Sequence, residues 1–138
     1  MGQQAFKTLI LFSSLFACTL AVADEVPTDS CYENSGSYQL IECFNQKIET
    51  AKADLDKQRK LFINKNQEIL NNDKRFEKEE YNINKKWLSF ADDDCKMRSF
   101  HSGEKDSIIY QVVYSECILN MYIERTYSLK NSLKLIEG

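Results

Sequence analysis

Between Asp24 and the terminal Gly138 the chain has one proline, Pro27, and two glycines, Gly36 and Gly103. An all-β protein of this size needs many turns punctuated by Gly and Pro, and those two residues are nearly missing. Helix is the default. From Tyr38 to about Leu70, Ile41, Ile48, Leu55, Phe62 and Ile69 recur every seven positions, with Phe44 and Ala51 between them. The spacing predicts one long amphipathic helix that buries a stripe against other helices, with Gln58 and Lys65 weakening its second half. An isolated coiled-coil dimer would need more apolar residues at the intermediate positions than the chain supplies.

Two polar stretches divide the remainder. At Asn71 to Lys74, "NNDK" reads as a break, because Asn and Asp favour caps and Glu77, Glu79 and Glu80 suit the positive end of a new helix. That helix carries Phe76, Ile83, Trp87, Phe90 and Ala91. "SFHSGEKDS", Ser99 to Ser107, is a polar loop in which Asp106 or Ser107 can cap the next helix. The final segment opens with β-branched residues, yet its apolar pattern runs through Met121 to Leu133 with no turn residue to end a strand, so a helix is expected. Its apolar side chains cover nearly every face, which predicts the most buried helix. The expected fold is all-α: a small antiparallel bundle of three helices, or four, forming a single domain over residues 24–138.

The first residues bear on the compartment. Lys7 precedes the apolar run "TLILFSSLFACTLAVA", which ends in the small-x-small triplet Ala21, Val22, Ala23. This is the pattern of a secretory signal peptide over residues 1–23, and no later segment is apolar enough for a membrane span. The competing reading is lipoprotein processing at Cys18, with a lipid anchor there, although Phe16 fits that processing box poorly. Cleavage after Ala23 leaves four cysteines, Cys31, Cys43, Cys95 and Cys117. An even number in an exported domain implies two disulfides, and the spacing favours Cys31 with Cys43 and Cys95 with Cys117. Zinc is a poor alternative, because there is no C-x-x-C and the lone histidine is His101.

Charge narrows the partners. Without Lys7 there remain 17 Lys and Arg against 21 Asp and Glu, a net charge of −4. That balance disfavours nucleic acid as the partner, and a basic protein is favoured.

The segment "WLSFADDDC", Trp87 to Cys95, sets aromatic residues against three carboxylates and a thiol. If Cys95 bridges to Cys117 the thiol is structural, Trp87 and Phe90 face the core, and Arg125 belongs to the same framework. Asp92, Asp93 and Asp94 oppose the helix dipole at a C-terminal end, so either Lys96, Arg98 or Arg125 neutralises them, or they face a basic partner. An EF-hand calcium loop lacks its spaced acids and its glycine here. No metal or other cofactor is expected.

The pattern of Trp87, Phe90, Asp92 and Cys95, then Gly103, Cys117, Arg125 and Leu129, resembles the LprI family of secreted lysozyme inhibitors. The pair Cys31 and Cys43, with Leu55 and Asp56, matches its first half. Ala91, Tyr122 and Arg59 depart from it, where family members usually carry Arg, Thr and, near the last position, Tyr. The resemblance implies an all-helical, disulfide-bonded domain, periplasmic or secreted, that inhibits lysozyme.

The expected function is thus a binding protein whose partner is lysozyme or another peptidoglycan hydrolase. Ser102, Gly103, Glu104 and Lys105 are candidate insertion residues in a loop already ordered by a disulfide, although an ordinary helix-to-helix turn would use the same residues. The alternative is an envelope interaction or immunity module with another protein target. An enzyme is disfavoured: His101 has no nucleophile or metal motif around it, and paired cysteines offer no thiolate.

Overall fold

The computed structural model describes residues 29–33 and 36–138, so the expected signal peptide and Cys18 lie outside the described residues. A one-turn helix α1, Asp29–Tyr32, precedes three long helices: α2, Ser37–Ile69; α3, Lys74–Ser99; and α4, Ile108–Glu137. A 3-10 turn, Phe100–Ser102, follows α3, and there is no strand among the described residues. The all-α expectation holds. Arg59 with Glu80, and Phe62 with Phe76, place α3 antiparallel to α2. Trp87 with Tyr122, and Cys95 with Cys117, place α4 antiparallel to α3. α2 and α4 therefore run the same way, and α4 packs on both of the others.

The break at "NNDK" is a tight reversal. Asn71 and Asn72 both take positive φ, 53° and 62°, a conformation that asparagine tolerates better than most residues. The Asn72 N–H reaches back to the Gln67 carbonyl at 2.7 Å, closing the end of α2. Asp73 then caps α3 by accepting from the Arg75 N–H at 2.9 Å.

The seven-residue stripe is buried only in its first half. Phe44, Ile48, Ala51 and Leu55 are buried, Phe62 is half-buried, and Ile69 is exposed. In that second half α2 meets α3 through Arg59 with Glu80 and Phe62 with Phe76. The principal core joins Cys31, Phe44, Ile48, Ala51, Cys95, Ile118 and Leu119, so it sits at the disulfide-bearing end.

Both disulfides form as the spacing favoured, Cys31 to Cys43 and Cys95 to Cys117. The first ties the small α1 to α2, and the second ties α3 to α4 across the intervening loop. By loop-closure entropy each contributes about 3 kcal/mol, much of the net stability of a small domain.

One core assignment is corrected. Phe90 is 59% exposed, whereas Ala91 is buried. The buried seam of α3 runs through Glu80, Asn84, Ala91, Cys95 and Ser99, in steps of four or seven, and Phe90 lies one residue, about 100°, off it. Trp87 is half-buried, edge-on to Tyr122 with ring centroids 5.5 Å apart, and the Arg125 guanidinium lies 6.0 Å from its centroid. Arg125 thus belongs to the framework beside Trp87, with its Nε buried and without a hydrogen-bond partner among the described residues.

Candidate functional site

The loop between α3 and α4 lies at the end of the bundle that holds the principal core cluster. Cys95 and Ser99 are fully buried beneath it, and the Ser99 hydroxyl donates to the Cys95 carbonyl at 2.7 Å. Ser107 caps α4 by accepting from the Tyr110 N–H at 3.2 Å, as the polar run suggested. The Ser107 N–H in turn donates to the Glu104 carbonyl at 2.8 Å. Gly103 is required at the bend: its φ is +127°, and a Cβ there would stand 2.9 Å from the Ser107 Oγ.

Of the four candidate insertion residues, Ser102 is half-buried in the 3-10 turn, while Gly103, Glu104 and Lys105 are exposed at the apex. Phe100 and His101 are exposed beside them, their rings 6.1 Å apart. Sequence reasoning treats this stretch as uniformly polar and passes over Phe100. The signal is present in "SFHSGEKDS": a large aromatic in a run with no apolar neighbour has no periodic partner to bury it.

The acidic run is not one patch. Successive residues of a helix point about 100° apart, so three in a row face three directions. Asp92 accepts from the Lys96 ammonium at 2.5 Å and from the Tyr114 hydroxyl at 2.7 Å. Those two bonds, Lys96 first, hold the Asp92 carboxyl below its ordinary range, and Lys105 of the loop adds to the effect. Burial chiefly, and then the bond to Asp92, push the Tyr114 phenol above its ordinary value. Asp94 meets Arg98 in an ion contact at 2.7 Å, without hydrogen-bond geometry at its buried Oδ2. Only Asp93 stays exposed with no ion pair among the described residues. Lys96 and Arg98 thus offset the unfavourable dipole from within the last turn, and Arg125 makes no ion pair with the run among the described residues.

Beside the loop, Ile41 and Asn45 of α2, Lys96 of α3, Lys105, and Tyr110 and Tyr114 of α4 line an open cleft of about 400 Å³. It brings α2 to the candidate loop, a contact that no motif announced. With Asp106, Gln111 and Ser115 the lining is mixed: two cations, of which Lys96 already holds Asp92, one acid, two phenols, two amides and a hydroxyl. Among the described residues no three of His, Cys, Asp and Glu converge as metal ligands would.

Fold and site together define a class: a disulfide-stapled helical bundle whose cross-linked end presents a short polar loop. The family model described as lysozyme inhibitor LprI matches residues 29–129, and the chain belongs to that family. Comparison with curated proteins and with solved structures gives no match. Among the described residues no helix is long and apolar enough to cross a membrane.

Proposed function

We infer that this protein is exported and blocks a cell-wall muramidase, a lysozyme or another peptidoglycan hydrolase, with the clamped end of its bundle. The observation that carries the reading is the Cys95–Cys117 bridge, which joins the two helices that flank the loop of Ser102, Gly103, Glu104 and Lys105. A loop whose two flanking helices are cross-linked is ordered before it meets a partner, so less entropy is lost on binding. Phe100 and Glu104 give that end an exposed apolar contact and an acid, and the net charge of −4 after removal of residues 1–23 favours encounter with a basic enzyme. Export is supported by the same two disulfides, which persist in oxidising compartments, and by the signal-peptide pattern that leaves residues 24–138 as one domain.

Titration of the oxidised protein into turnover assays of muramidases of several classes tests the inference. Stoichiometric loss of lytic activity is expected for at least one class. No inhibition of any class at micromolar protein defeats it, and capture of a different envelope protein in its place would establish the interaction-module alternative.

A further inference from the structure

The outward face of α3 carries a second apolar stripe that the bundle leaves uncovered. Ile83, Phe90 and Met97 are 52%, 59% and 67% exposed. They stand seven residues apart, so on a helix they drift by only about 20° per step and form one line. Phe90 is its midpoint. The stripe shares no residue with the loop or the cleft beside it.

We propose that this stripe is a homodimer seam, in which α3 packs antiparallel against α3 of a second copy about a two-fold axis at Phe90. The flanking charges favour this occupant. Along one flank of the stripe lie Lys86, four residues before Phe90, and Asp93, three after it; both are exposed and neither makes an ion pair among the described residues. A two-fold axis through Phe90 keeps that flank on the same side in both copies and reverses the direction along the helix. Position +3 of one copy then faces position −3 of the other, one residue from −4. Lys86 of each chain is thereby set beside Asp93 of its partner, about 1.5 Å apart along the axis, twice per dimer. Ile83 meets Met97 of the partner at both ends, and Phe90 meets its own copy at the centre. A parallel pairing about a two-fold axis would carry that flank to opposite sides of the seam in the two copies, so it would form neither of these charge pairs. The antiparallel arrangement also puts the two clamped loops at opposite poles. A single helix pair is a small interface, so dissociation in the micromolar range is expected.

Sedimentation equilibrium of the oxidised protein, run without any muramidase, tests this independently of the inhibitor reading. Twice the chain mass is expected at high concentration, with Phe90→Glu monomeric throughout and unchanged in helicity. Lys86→Glu and Asp93→Lys should each raise the dissociation constant about tenfold, and the double variant should restore it. A monomer up to about 1 mM, at which only affinities too weak to matter remain undetected, overturns the proposal. A dimer indifferent to Phe90→Glu, or a charge pair that shows no rescue in the double variant, overturns it equally. If the protein is monomeric and Phe90→Glu instead abolishes muramidase binding, the stripe belongs to the partner surface and the dimer seam is refuted.

Discussion

Arg59 of α2 grips Glu80 of α3 in a two-pronged pair, Nε to Oε1 at 2.9 Å and Nη2 to Oε2 at 2.8 Å. Glu80 is only 5% exposed and the Arg59 side chain 15%, so both charges are largely out of water. Glu80, mainly through this hydrogen bond, raises the Arg59 guanidinium above its ordinary value. Removing one partner strands the other charge, whereas removing both does not. Arg59→Ala and Glu80→Gln should each cost about 2–3 kcal/mol in urea unfolding, and a Met and Leu pair at the two positions should come back close to the parent. If both single variants melt like the parent, the pair does not hold the helices together.

This pair marks the boundary of what the sequence discloses. The helices, their breaks and the two cross-links are legible, because each rests on a local or compositional rule: missing turn residues, a seven-residue stripe, Asp73 and Ser107 as caps, and four cysteines in two close pairs. Glu80 reads as a dipole-compensating residue of the first turns, and its real partner lies 21 positions back. No periodicity encodes such a contact. Phe90 misleads for the opposite reason: local spacing admits a core assignment, and the register set by Ala91 and Cys95 against α4 turns it outward. The candidate loop is legible as a loop, but not its neighbours, since α2 reaches it only through the packing of Ile41 and Asn45.

The clamp links stability to the inferred binding. Cys95→Ser together with Cys117→Ser removes the bridge without leaving a free thiol, and a fall in stability of about 3 kcal/mol is expected in denaturant titration. Inhibition should weaken more than the loss of folded protein accounts for, because the loop of Gly103 to Lys105 would lose one of its fixed ends. Equal potency per folded molecule would show that the loop needs no preorganisation.

Acid should loosen the reversal between α2 and α3. The Arg75 side chain first, and then its N–H, hold the Asp73 carboxyl down at about 2, against an ordinary value of 3.8. A depressed carboxyl contributes stability that is complete above its unfolded pKa and is lost as pH falls through the folded one. The contribution should therefore fade between pH 3.8 and about 2. Asp73→Asn keeps a capping oxygen but cannot titrate, so its melting temperature should fall less steeply across that window. A parallel acid limb in both proteins would remove Asp73 from the account.

The contact between Asp92 and Tyr114 gives the alkaline counterpart. The Tyr114 phenol is raised above its ordinary 10.0, so at high pH the unfolded chain ionises there before the folded one does. Its contribution is intact below pH 10 and drains away as pH climbs toward the raised folded value. Tyr114→Phe should lower stability at neutral pH by about 1 kcal/mol, a modest figure because Asp92 is partly exposed, and should flatten the decline above pH 10. Asp92→Asn should reproduce the neutral-pH loss and leave Lys96 without its partner, whereas Asp93→Asn should leave the melting temperature of the dilute monomer unchanged. The three variants together separate structural acids from surface acids in one run of sequence. Equal losses for Asp92→Asn and Asp93→Asn would mean that the run acts through its net charge and that the bond to Tyr114 contributes nothing of its own.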